Sequence, residues 1–400
     1  MKIVLVSQEY PPETAHGGIA SQTFLKAQGL ARMGHEITVL SHSLDEQTHE
    51  TFDGSVRVIR IPGFDDTMTL NNEEVRWLDY SWRVATKLNE LNVRFVLDLI
   101  DFTEWGAEGF IYLLNRTEWD RVPCIVHIQG PIIMLSQKLG WPEKTSEFFR
   151  VCSFMEETCL RLADAVYSSS QYSTDWCRRS YTLKHETIPV IHAGIDTKQF
   201  FLRDIPKAQN PTIIFVGRIT ESKGVVVLFH AALKLATEIP NLRLQMIGRC
   251  DDGLLEKMQS EAKAALFPDL LDSPGFITKE RLPDFLSQAH VFAAPSFCEG
   301  GPGFVYLEAM ACGLPVIGCE GSGVSEVIQH GKTGYLVAPK DIDATADALK
   351  AMLLDSKKRK LMSKAAQDYI YQEAATDVCM KKIEAFYQGI ISSDKTEVNV

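Results

Sequence analysis

Short apolar runs alternate with amphipathic stretches along nearly the whole chain, and the apolar runs come in two series. KIVLVS reads as a first strand. A Pro/Gly-rich loop over 11–18 follows, then SQTFLKAQGLARMG, an amphipathic helix opening at Ser21 and ending at Gly34. EITVLSH, VRVIRIP, FVLDLID, CIVHIQ, LADAVYSSS and TIPVIHAG continue the first series as strands. PTIIFVGR, LRLQMIG, a strand near PGFI, VFAAPS, LPVIGCE and GYLVAP make the second, and residues 342–392 are helical in pattern. Strands that are apolar on both faces, separated by helices, predict parallel sheets covered on both sides. The polar stretch AGIDTKQFFLRDIPKAQNP, residues 193–211, divides the series. The expectation is two Rossmann-like α/β domains, 1–195 and 196–374, with a terminal helical segment near 375–400.

Composition supports two domains. A chain of 400 residues exceeds what one hydrophobic core usually supports. No apolar run approaches the roughly 20 residues needed to cross a bilayer, and MKIVLVSQEYPP reads as a strand, not as a signal peptide. Nine cysteines, odd in number and scattered without a CxxC pair, predict buried thiols in a reducing, cytoplasmic setting. Net charge is −11, and residues 1–190 alone hold 26 acidic against 18 basic side chains. That balance argues against nucleic acid and against electrostatic docking on an anionic membrane. Apolar contact with a lipid-linked acceptor, peripheral to the inner membrane face, stays open.

The most informative segment is FAAPSFCEGGPGFVYLEAMACGLPVIG, residues 292–318. A strand runs into a turn carrying Glu299, then Gly300, Gly301, Pro302 and Gly303, then a helix-forming run that contains Glu308. Glycines between a strand and a helix let backbone approach a ligand, and the first N–H groups of the helix make an anion site. Two carboxylates bracketing that site suit a ligand with both phosphate and hydroxyls, such as a nucleotide sugar.

Other chemistry gathers at strand ends, where doubly wound sheets place their ligands. Gly17-Gly18 after the first strand offer amides to a phosphate or to the reacting sugar. Arg218 and Lys223 in GRITESKG could neutralise a leaving diphosphate without metal. His127 and Gln129 in CIVHIQGP point to one side of their strand, where a buried, satisfied histidine is as good a reading as a reactive one. Asp341-x-Asp343 imitates a metal motif but opens a helix, so capping explains it. No cofactor and no metal are expected.

The 292–318 string resembles the Glu-x7-Glu segment of family 4 glycosyltransferases, although here eight residues separate Glu299 from Glu308. The resemblance covers nearly the whole chain. It implies a GT-B fold, with two Rossmann-like domains facing each other across a cleft and a final helix, AATDVCMKKIEAFYQGI, crossing back to the first. It further implies a retaining transfer of a hexose-type sugar from a UDP- or GDP-linked donor to a saccharide or lipid-linked saccharide. In the family's pattern Glu299 meets the donor sugar and Glu308 the ribose. Gly303 falls on the usual glycine, and the amides of Phe304 and Val305 hold the diphosphate. Arg218 and Lys223 stand in the family's Arg/Lys register, and Gly17-Gly18 lie under the diphosphate. Gln129 occupies the place of the family's histidine, with His127 two residues earlier, and Phe276 and Ile277 stand where the base is bound. HAGIDTKQF is similar to the family's NGxD turn, with Ala193 for the usual Asn. A catalytically silent nucleotide-sugar-binding homologue, or a GT-B epimerase, would share most of these features.

Overall fold

A computed structural model of the chain describes residues 1–14, 17–45, 47–63, 73–117, 121–250 and 253–397. The chain forms two compact units, Met1–Gly194 together with Thr376–Val400, and Ile195–Ala375.

The first unit is built on a seven-stranded sheet. Its strands are β1 (Lys2–Val6), β2 (Glu36–Ser43), β3 (His49–Asp53), β4 (Val56–Pro62), β5 (Leu99–Thr103), β6 (Cys124–Ile128) and β7 (Ala165–Ser168). They lie in the order β3-β4-β2-β1-β5-β6-β7. All pairings are parallel except β3 against β4. β5 and β6 are buried at every position, which explains their unbroken apolar reading. The antiparallel β3 escaped the pattern because HETFD is polar and its three central residues are exposed. Its signal was the Gly54-Ser55 turn, with Gly54 at φ 61° closing a two-residue hairpin between Asp53 and Val56. TIPVIHAG does not form the expected last strand: only Val190 bridges, to Ser168.

The helix Thr376–Glu397 packs within the first unit. Met380 lies against Gly29 of the helix Gly18–Arg32, where a Cβ would come within 2.4 Å of the methionine side chain. Tyr387 donates its hydroxyl to Asp101 on β5. Lys26 Nζ meets the same carboxylate oxygen at 2.6 Å and Tyr167 donates to it at 2.8 Å. Lys26 and Asp101 are both fully enclosed. Removing one partner of such a pair costs about 3–5 kcal/mol, because the other charge is left buried and alone.

The second unit carries six parallel strands. They are β8 (Thr212–Val216), β9 (Arg243–Ile247), β10 (Leu271–Gly275), β11 (Val291–Ala293), β12 (Val316–Cys319) and β13 (Gly334–Val337), in the order β10-β9-β8-β11-β12-β13. The chain walks outward from β8 to β10 and then returns to the other side of β8. The β8/β11 junction is therefore the point where strand order reverses, the usual ligand position in a doubly wound sheet. Beyond β13 the helices Ile342–Leu354 and Ser356–Tyr369 lead to a π-turn, Ile370–Ala374. Ala375 is extended and bridges Ile195, which ties the two ends of this unit together.

Candidate active site

In the second unit, the exits of β8 and β11 converge because glycine permits it. Gly224, at φ 74°, follows Lys223, and a Cβ there would stand 2.2 Å from the carbonyl oxygen of Pro295. Ser296 Oγ donates to the Ser222 carbonyl at 3.2 Å. The turn carrying Lys223 is thus pressed against the loop carrying Glu299, and Lys223 Nζ meets Glu299 Oε1 at 2.6 Å. Their side chains are 35% and 18% exposed, so the pair is worth only about 0–1 kcal/mol and opens readily for a competing ligand. Arg218 extends from the end of β8 into solvent.

The loop that carries Glu299 rests on Gly323. Gly323 donates its N–H to the Glu299 carbonyl at 2.8 Å. A Cβ on Gly323 would come within 2.4 Å of the Gly301 carbonyl oxygen and 2.5 Å of that of Gly300. Gly323 therefore underpins residues 299–301, and only a residue without a side chain fits there.

Gly303, at φ 64°, turns the chain into the helix Phe304–Ala311. No side chain caps that helix, so the first amides, Phe304 and Val305, have no intrahelical partner. Glu308 lies one turn further on the face of Phe304, about 6 Å along the axis. It is 4% exposed, and its carboxylate has no hydrogen-bond partner among the described residues. Burial pushes its pKa up, and the nearby charge of Lys279 partly offsets that. Lys279 sits just past the end of β10, where Phe276 is 63% exposed with Arg249 over its ring at 5.5 Å, while Ile277 packs on the core. The structure thus gathers Lys223, Glu299 and Gly303 to Glu308 around one strand junction, and Lys279 links the β10 exit to Glu308. Lys279, Arg249 and Gly323 escaped sequence reading; a glycine in EGSG was the one available hint.

In the first unit, the helix after β1 starts at Gly18, three residues before Ser21, with Gly17 as its cap and both glycines exposed. Glu9 already stands there: its Oε2 accepts from the Ala20 amide at 3.2 Å and lies 3.9 Å from where a Gly17 Cβ would be. A carboxylate at this helix start favours a hydroxyl-bearing ligand over a phosphate at Gly17-Gly18.

Of the two readings open for His127, the structure matches the buried histidine, although side chains and not a carbonyl satisfy its Nε2. It is wholly buried, stacked on Tyr167 at 4.0 Å, with Nε2 2.9 Å from Ser169 Oγ and 3.2 Å from Gln22 Nε2. Burial first, then Lys26 and His192, hold its pKa well below the usual value, so the ring is neutral. Gln129 lies on the same side, Nε2 to His127 Nδ1 at 3.4 Å, and is nine-tenths buried. Three buried acids support this strand end. Glu104 accepts from the amides of Gln129 and Gly130, Glu108 from that of Gln8, and Glu156 from the Ile132 amide and the Tyr181 hydroxyl. Burial raises all three pKa values, that of Glu104 to about 7.

Asp341 caps the helix Ile342–Leu354 by accepting from the Ala344 amide at 2.8 Å, and Asp343 pairs with Lys234 at 2.7 Å. None of the nine cysteines forms a disulfide, and eight of them are buried. Among the described residues no helix is long and apolar enough to cross a membrane.

Two family profiles match the chain. "Glycosyl transferase 4-like domain" covers residues 17–194 and "Glycosyl transferases group 1" covers 198–369. The chain is 30% identical over 358 residues to an alpha-maltose-1-phosphate synthase of Mycolicibacterium smegmatis, covering 84% of both chains. Sucrose-phosphate synthase from Thermosynechococcus elongatus superposes with a TM-score of 0.82 at 21% identity, covering 98% of this chain and 99% of that one. An Anabaena protein in complex with UDP and glucose superposes with a TM-score of 0.72 at 21% identity, covering 97% and 100%. At such identities the likeness to solved structures speaks for the fold.

Proposed function

We propose, from the premise that this chain belongs to the family 4 glycosyltransferases and has their GT-B fold, that it moves a hexose-type sugar from a nucleotide-diphospho-sugar to a hydroxyl of a saccharide or lipid-linked saccharide. The observation that carries the donor assignment is Glu308: an acid 4% exposed, with no protein hydrogen bond on its carboxylate and its oxygens still open to solvent, one helical turn beyond uncapped amides. Two ribose hydroxyls would give that carboxylate donors, each hydrogen bond to the charged group being worth about 1.5–3 kcal/mol.

The chemistry then follows from charge. The diphosphate takes the amides of Phe304 and Val305 and draws Lys223 away from Glu299, while Arg218 supplies a second cation. These groups stabilise the charge that develops on the leaving diphosphate. Glu299, released from the lysine, accepts from hydroxyls of the transferred sugar. No side chain at this junction is set as a covalent nucleophile. Retention is therefore assigned to attack on the face the diphosphate leaves, with a departing phosphate oxygen taking the acceptor proton. Phe276, flanked by Arg249, offers an exposed ring to the base, and the backbone of Ile277 lies beside it. The first unit offers the acceptor side, with Gly17, Gly18 and Glu9 toward sugar hydroxyls. His127 and Gln129 act from beneath, as positioning residues. A UDP- or GDP-linked donor and a cytoplasmic location, peripheral to the membrane where the acceptor is lipid-linked, complete the reading.

A thermal-shift screen across UDP- and GDP-sugars tests it, because a ligand at 100 times its dissociation constant stabilises by about 2.7 kcal/mol. One nucleotide sugar should raise the melting temperature and, with acceptor, release nucleoside diphosphate. Binding without release under any acceptor would identify a silent nucleotide-sugar-binding homologue. The ion pair that ties up Lys223 and Glu299 is the feature favouring that second reading.

A further inference from the structure

Four aromatic side chains from four separate segments meet at the carboxyl edge of the first sheet. Trp105 follows β5 directly. Trp77 lies near the start of the helix Glu73–Phe95, whose far end feeds β5, and Phe148 opens the helix Glu147–Leu162 that feeds β7. Trp141 stands between the helix Ile132–Leu139 and that one. Ring centroids are 5.3 Å apart for Trp77–Trp105 and 5.5 Å for Trp77–Phe148. They are 6.4 Å apart for Trp105–Trp141 and 6.0 Å for Trp141–Phe148. Trp141 is 52% exposed and the other three are half-buried, so the cluster is anchored in the unit while one indole faces outward.

A core would have enclosed Trp141, and a wide-open depression lined by polar residues lies next to it in the chain. Its volume is about 510 Å³, and Ser136, Gln137, Gly140, Glu143, Lys144 and Thr145 line it, flanking Trp141 in the chain. Rigid aromatic faces beside a few polar side chains make up a site for a ligand with one apolar and one hydroxylated face. A pyranose ring is such a ligand: its axial C–H groups meet the electron-rich indole face while its equatorial hydroxyls reach polar groups. An anionic bilayer is disfavoured by the net charge of −11, and Glu143 and Lys144 leave the depression itself without net positive charge to attract one.

We propose that the Trp77/Trp105/Trp141/Phe148 cluster is a stacking platform for a pyranose ring of the saccharide acceptor, with Trp141 as the contacting face. This rests on the transferase reading but concerns the first unit alone. The test uses the full chain and follows tryptophan emission during titration with methyl α-glucopyranoside, N-acetylglucosamine and maltotriose. At least one should change emission saturably. Trp141→Ala should weaken that binding tenfold or more and Trp141→Phe much less, both with the parent's melting temperature and the parent's affinity for UDP. The proposal is overturned if none of the three binds or if Trp141→Ala binds as the parent does. It is equally overturned if Trp141 instead governs sedimentation with phosphatidylglycerol/phosphatidylethanolamine vesicles. Affinity for UDP and for GDP, measured in the same samples by calorimetry, is the separate readout whose joint absence in the parent would sink the donor reading.

Discussion

Replacing Glu308 should move stability and binding in opposite directions, which distinguishes a ligand-holding acid from a structural one. The Glu308 side chain is 4% exposed, and burial holds its pKa above the usual carboxyl range, partly offset by Lys279. The sign is definite: a carboxyl whose folded pKa lies above its unfolded value contributes stability below the unfolded value and loses it as pH rises through the folded one. Wherever the group is ionised in the folded protein, its buried charge therefore opposes stability. Glu308→Gln removes a buried charge, so the ligand-free protein should gain about 1–3 kcal/mol. That is a rise of roughly 2–4 °C per kcal/mol for a unit of this size. The nucleoside diphosphate would lose charge-assisted hydrogen bonds to its ribose, each worth about 1.5–3 kcal/mol, or tenfold to over a hundredfold in affinity. The affinity lost should shrink in acid, where the parent's carboxyl is itself protonated. Melting curves of the ligand-free protein and calorimetric titration with UDP and GDP at two pH values read both quantities. Unchanged diphosphate affinity, or a ligand-free variant less stable than the parent, would refute the ribose assignment.

Gly323→Ala should lower transfer by an order of magnitude or more with diphosphate affinity nearly kept, because the new methyl collides with the Gly300 and Gly301 carbonyls that position Glu299. An unaltered turnover number would show that residues 299–301 do not set the sugar's place. Transfer should survive excess EDTA, since Arg218 and Lys223 supply the positive charge the diphosphate needs; loss on chelation with recovery on adding Mg²⁺ or Mn²⁺ contradicts that role. The first unit should melt lower at pH 8 than at pH 5.5, because the raised pKa of Glu104, about 7, makes its stabilising contribution fade across that window. Glu104→Gln should flatten the difference, and an equally steep profile in that variant would locate the effect elsewhere.

What was legible in the sequence was whatever repeats on a period or is fixed by backbone. Buried parallel strands such as β5 and β6 announce themselves as apolar runs, and the glycine-proline turn before Phe304 is visible because the backbone there, with Gly303 at φ 64°, needs glycine. β3 was not, since a solvated edge strand carries no hydrophobic signal and only its Gly54-Ser55 turn betrays it. Burial of single polar residues is equally silent. Glu104, Glu108 and Glu156 look like surface acids in DFTEWGAEGF and MEETC, yet each is enclosed and receives backbone amides. His127 alternates correctly with Gln129, but alternation states a side of a strand and not whether that side is covered.

The same distinction bears on the two glutamates of the strand junction. Sequence spacing placed an extra residue between them and left Glu299 uncertain, because counting cannot say where a loop absorbs an insertion. The structure adds a physical constraint: the Gly323 amide holds the Glu299 carbonyl, and the Lys223 turn, locked by Gly224 against Pro295, meets its carboxylate. Two independent elements thus fix Glu299, at the start of the segment that holds the extra residue. Glu308 needs no such support, since a helix of regular pitch carries it at a set distance from Phe304. An acid held by helix geometry suits an invariant part of a donor, the ribose. An acid held by a glycine-supported loop and a readily broken ion pair suits the part that must be gripped, transferred and released.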